Sequence, residues 1–211
     1  MISVSKQNQR IQITIEADIL NTSSQAFKLE ALKGSIIKQL HQVFNVSVGS
    51  YTLHLSITLN ILKHVYQCSS KKLLFQIVDA IPNNNAADAD LKGLRIKLNK
   101  AFVQDMISHK NTRTLPHEVG HLFGWNHPHA NATYESINLE AHPFEQLLTE
   151  QQRKINLMSQ TWYVQRANTP TDKAIQLTEH QLNILLEYSD LGLLNKNFHL
   201  NYFLFWKKLV G

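Results

Sequence analysis

Apolar and polar residues alternate with period two over 10–19, RIQITIEADI, and predict a strand with one buried face. From Ser24 to Phe44 the period changes. Phe27, Leu29, Leu32, Ile36, Ile37, Leu40 and Phe44 recur at helical spacing, which predicts an amphipathic helix. Alternation returns in 51–65, YTLHLSITLNILKHV, and a short apolar strand follows in 72–81, KLLFQIVDAI. Residues 82–90, PNNNAADAD, read as a loop by composition. GLRIKLNK, 93–100, alternates again, and Lys and Arg on its polar side suit an edge strand guarded against further pairing. Beyond it come a helix around Thr114–Gly124, a loop over Asn126–Thr133 and a short helix within 143–155. Thr178, Glu179, His180 and Gln181 have the spacing of a capping box, with Leu182, Leu185 and Leu186 following on one helical face. The tail, NFHLNYFLFWKKLVG, is apolar and aromatic with a basic end, and reads as a last element packed on the core.

The chain of 211 residues suffices for one domain with a sizeable core. Its 43% hydrophobic and 18% charged content is that of an ordinary globular protein, and no apolar run approaches the length of a membrane helix. The opening MISVSKQNQRIQ lacks an apolar h-region, so no signal peptide is expected there. That leaves the localisation open, including delivery by another route or within a larger precursor. The net charge of +5 is spread along the chain without a dense basic run, which argues for solubility and against nucleic-acid binding. A single cysteine, Cys68, excludes an intrachain disulfide and reads as a small core residue.

Chemistry concentrates in residues 117–127, HEVGHLFGWNH. His117 and His121 are four apart, which on a helix places their Cβ atoms about 6 Å apart on one face. Both rings can then reach one ion. Glu118 projects to another side and suits holding a water rather than ligating. Gly124 can adopt a left-handed conformation at no steric cost, end the helix and bring His127 round as a third ligand. Three neutral imidazoles suit Zn2+ and leave a fourth position for water. The five fixed positions of H-E-x-x-H-x-x-G-x-x-H arise by chance on the order of once in tens of thousands of such chains.

At these residues the chain resembles the metzincin clan of zinc metallopeptidases, whose long motif is accompanied by a later Met-turn. Asn156-Leu157-Met158-Ser159-Gln160 is the candidate turn, with Met158 as the hydrophobic floor under the imidazoles. The resemblance implies a zincin-like α/β fold. It has a twisted, mixed, mostly parallel sheet with long helices, an active-site helix and a small irregular C-terminal subdomain. One catalytic domain over 1–211 is then expected, divided into an upper part, 1–127, and a lower part, 128–211. The position two after Met158 is Gln160, so a tyrosine ligand from that turn is not expected, and a cysteine switch through Cys68 is not expected either. The phrase NLMSQ looks more like small bacterial metzincins, including toxin-type peptidase domains. The implied activity is hydrolysis of peptide bonds in a protein or peptide substrate, with one catalytic Zn2+ and Glu118 as general base. An amidase or deamidase acting on a non-protein substrate, or a toxin cleaving one host protein, would carry the same motif. In the family, extended substrate pairs with the upper edge strand, which maps here to Gly93, Leu94, Arg95 and Ile96. The wall of the specificity pocket follows the Met-turn, at Trp162 and Tyr163. The oligomeric state is not legible.

Overall fold

A computed structural model of the chain describes residues 1–90, 94–125, 127, 149–159, 161–166 and 170–195. It is a mixed α/β structure built on a seven-stranded mixed sheet. The strands are β1 (Ile2–Gln7), β2 (Arg10–Asn21), β3 (Ser47–Val48), β4 (Tyr51–Leu62), β5 (Leu73–Val78), β6 (Ala87–Asp90) and β7 (Arg95–Asn99). The helices described are α1 (Leu29–Phe44), α2 (Lys100–Ile107), α3 (Thr114–Leu122), α4 (Glu150–Ile155), α5 (Thr161–Arg166) and α6 (Glu179–Asp190).

The alternating apolar residues of β2 explain its central place. Ile11, Ile13, Ile15, Ala17 and Ile19 are all fully buried. One edge of β2 carries β4 in parallel along nearly its whole length, from Arg10 opposite Thr52 to Leu20 opposite Leu62. Its other edge is shared. Antiparallel β1 covers residues 10–15, and parallel β5 takes over at Ala17. Parallel β7 follows β5, and antiparallel β6 closes that side. Helix α1 lies against β4 and touches both α2 and α3, burying Leu32, Ile36, Leu40 and Phe44. Full burial of such side chains contributes about 1.5–3 kcal/mol each, so this seam is a major source of stability. Asn195 fastens β1. Its side-chain amide donates to the carbonyl of Ile2 at 2.6 Å, and its Oδ1 accepts the Ile2 N–H at 2.7 Å.

Several expectations change. The edge strand is β6, not the 93–100 segment. Residues Arg95–Leu98 are paired on both sides, with β5 and with β6. Within the supposed loop 82–90, Pro82–Asn84 does form a turn, with Asn83 at φ 59° and Asn84 at φ 54°. Ala87–Asp90 then pairs with β7, and Asp88 and Asp90 sit opposite Lys97 and Arg95. Opposite charges across a ladder contribute about 0.2–1 kcal/mol, so the basic residues complement an acidic neighbour strand rather than guard an edge. Helix α1 starts at Leu29, because Ser24 is held in the preceding loop by Asp79, whose Oδ1 accepts both its N–H and its hydroxyl. Among the described helices, α1 has 16 residues, α6 12 and α3 9. Cys68 is not in the core. It caps an exposed 3-10 turn, Val65–Gln67, and is half-buried. The capping box at Thr178 forms, and its Oγ1 accepts the Gln181 N–H. Of the lower part, residues 128–148 and the aromatic tail lie outside the described residues.

Candidate metal centre

Helix α3 carries TLPHEVGHL. Asn111 Oδ1 accepts the N–H of Thr114 at the helix start, and Pro116 sits in the first turn, where no intrahelical N–H bond is required. Leu115 and Val119 turn into the core and fix the rotation of the helix. That rotation sends His117 and His121 to the neighbouring face. At the far end the chain reverses through a Schellman arrangement: Trp125 N–H reaches the Gly120 carbonyl and Gly124 N–H the His121 carbonyl, both at 3.1 Å. Gly124 has φ +86°. A Cβ there would lie 2.5 Å from the Tyr188 ring, so the residue is constrained by shape as well as by backbone angle.

The reversal brings His127 against the other two histidines. One ligand nitrogen from each of His117, His121 and His127 lies within 4.8 Å of the others. No further His, Cys, Asp or Glu among the described residues joins this cluster. The rings are held edge to face or nearly stacked, with centroids 4.8–5.2 Å apart. His117 Nδ1 is 2.9 Å from the carbonyl of Leu157, and His121 Nδ1 is 2.9 Å from the carbonyl of Trp125. A carbonyl only accepts, so each of these nitrogens carries the proton, and each Nε2 is left as a bare lone pair. His117 Nε2 faces His127 Nε2 at 3.2 Å, a separation that calls for a proton or a cation between them. Burial depresses the basicity of both helix histidines. His121 falls to about 4, and His117, beside two further imidazoles and Arg113, lies well below its usual value. Neutral rings with Nδ1 committed to carbonyls are the form that ligates a metal, so the donor set fits a metal ion.

Glu118 is buried and points elsewhere. Its Oε2 accepts the N–H of Ala89 at 2.8 Å. Burial raises its pKa to about 7, the Ala89 bond and Arg113 oppose the rise, and Asp88 adds to it. The Asn99 N–H bonds to the Ala86 carbonyl. With hydrogen-bonded and non-bonded pairs alternating along the ladder, this directs the main-chain groups of Ala87 and Ala89 away from β7. The outer edge of β6 therefore faces α3.

The expected turn is present as a β-turn, in which Ser159 N–H bonds to the Asn156 carbonyl and Asn156 Oδ1 accepts the Met158 N–H at 2.9 Å. The Asn156 and Gln181 amides bond each other, which ties the turn to α6. Met158 is fully buried. Its sulfur lies against Gly120, where a Cβ would approach it to 2.5 Å. Met158 thus rises to the helix backbone between the two histidines because residue 120 has no side chain.

The structure brings together the imidazoles of His117, His121 and His127, seats Met158 against Gly120, and directs Glu118 to the Ala89 N–H. It does not give Arg95 and Ile96 a free main-chain edge, and Ile96 is fully buried. The Leu94 carbonyl is used by Leu74 N–H, and Gly93 lies outside the described residues. Trp162 and Tyr163 fall in α5, and their side chains lie outside the described part. Three participants escaped the sequence reading. A glycine inside a helix costs about 1 kcal/mol against alanine, so Gly120 carried a signal of close approach. Arg113 and Ala89 carried none. The fold and site thus define a mixed α/β protein with a three-histidine cluster able to hold one metal ion. No protein-family model matches the chain, and no curated protein matches it.

Proposed function

We propose that the protein is a zinc-dependent endopeptidase of the metzincin type. The observation that carries this reading is the convergence of three imidazole nitrogens within 4.8 Å, two of them from a helix that also carries the buried carboxylate of Glu118. His117, His121 and His127 would hold the ion. When bound, zinc supplies polarisation of the scissile carbonyl and a more acidic water. Glu118, buried and with its pKa raised to about 7, is suited to accept the proton of the attacking water and deliver it to the leaving nitrogen. Extended substrate would add to the outer edge of β6, meeting the main chain of Ala87 and the carbonyl of Ala89, whose N–H is held by Glu118. The ligand is a peptide or protein segment, and no helix among the described residues is long and apolar enough to cross a membrane.

The test combines metal content with cleavage of a peptide library. Purified protein should carry one zinc per chain, and His117→Ala or His121→Ala should lose it. Glu118→Gln should retain zinc while hydrolysis falls by about 10²–10⁴-fold. Full activity in Glu118→Gln, or no zinc uptake by wild type, would defeat the reading.

A further inference from the structure

We propose that Arg113 is a positioning residue for the metal centre, fixing through its guanidinium the Leu157 carbonyl against which His117 is oriented. The inference rests on the zinc reading above. Arg113 immediately precedes α3 and is only 7% exposed. Among the described residues no carboxylate forms an ion pair with it. Instead its donors run to main-chain carbonyls of the segment beneath the helix. Nε donates to Ala174 at 2.8 Å, and Nη2 donates to Leu157 at 2.7 Å and to Ser159. Nη1 lies 3.5 Å from Thr161 Oγ1. These contacts span both flanks of Met158.

The shared acceptor is the informative part. The Leu157 carbonyl takes one bond from Arg113 Nη2 and a second, at 2.9 Å, from His117 Nδ1. A carbonyl has two lone pairs, so both are used and its direction is set. With Nδ1 bound to a fixed acceptor, the His117 ring cannot rotate, and Nε2 stays aimed at His127. Burying a guanidinium carries a large desolvation cost before compensation. An apolar side chain would fill the space without it, but would leave the Leu157 and Ser159 carbonyls short of a donor.

The experiment compares full-length Arg113→Met and Arg113→Lys with wild type and with Leu32→Ala, a core variant remote from the centre. The readouts are zinc affinity by chelator competition, ¹⁵N and Nδ1–H resonances of His117 in metal-free protein, and stability in urea. Removing a group that orients a metal ligand typically weakens binding 10–100-fold. Arg113→Met should show that loss together with a displaced or exchange-broadened His117 Nδ1–H. Arg113→Lys, which keeps one donor, should recover part of both, and Leu32→Ala should lose stability with zinc affinity unchanged. Wild-type zinc affinity and an unaltered His117 resonance in Arg113→Met would overturn the proposal. If Arg113→Met does not fold, wild-type values of both readouts in Arg113→Lys overturn it equally. Failure of wild type to bind zinc would instead remove the zinc reading, and the metal-free His117 resonance would still report on Arg113.

Discussion

His117 and His121 stand on the same helical face, yet they are supported in different ways. His121 finds its acceptor four residues away, on Trp125, at the turn that Gly124 makes possible. His117 finds its acceptor 40 residues away, on Leu157, in a segment tied down by Asn156, Gln181 and Arg113. One ligand is oriented by local chain geometry and the other by tertiary packing. Local support survives wherever the turn forms, whereas the distant support exists only when the floor is docked.

The largest effect should come from breaking the local arm. Gly124→Ala forces an unfavourable left-handed angle and sets a Cβ against the Tyr188 ring. The two costs together amount to about 2–5 kcal/mol. Zinc affinity should fall with stability, because both His121 and His127 depend on this turn. Wild-type melting and zinc binding in that variant would show that the glycine is dispensable. The distant arm is broken more gently by Gly120→Ala, which drives Met158 out of its seat at about 1–3 kcal/mol. Here a second change sharpens the contrast. Gly120→Ala combined with Met158→Ala should cost less than the sum of the two single variants, since the new methyl occupies room the methionine leaves. Additive losses in urea denaturation would mean that the two residues do not meet.

The smallest effect concerns a polar tether outside both arms. Lys100, with help from Ser24, holds the exposed Asp79 carboxyl well below the usual carboxylate range. A depressed folded-state pKa means that the contribution is full above the unfolded value of about 3.9 and is lost as pH falls through and below it. The urea midpoints of wild type and Asp79→Asn should therefore differ slightly at about pH 6 and converge toward about pH 2, and added salt should shrink the difference. A gap that stays constant over this range would show that the carboxylate's charge plays no part.

Much of this was legible in the sequence for the same reason that the His121 arm is simple. The strands β2 and β4 announce themselves by alternation of large β-branched and aliphatic residues, and β5 by a short apolar run. The histidines, Glu118 and Gly124 lie within a single stretch, and their geometry follows from helical spacing and one permissive residue. β6 reads as a loop in the sequence because alanine and aspartate carry no strand signature, and its pairing is made by main chain and by Lys97 and Arg95 from another strand. β1 carries little signal because, of its six residues, only Ile2 is buried. Arg113 resembles any other arginine until its acceptors, 44–61 residues further along, come to meet it. The carboxylate contact with Ala89 spans 29 residues and involves a main-chain donor, which leaves no trace in side-chain pattern.

The Asn195 clasp on Ile2 bears on how the molecule would come apart. The two residues are 193 positions apart, and their reciprocal bonds close nearly the whole chain into a ring. Outer segments usually fray first, but β1 is gripped between β2 on one side and this amide on the other. Peeling it away requires the clasp to open beforehand, so unzipping from either side of the ring starts at the same latch. The Ile2 amide is then a sentinel for that event, and its hydrogen-exchange rate reports the opening of the latch rather than casual loosening at one end of the sheet.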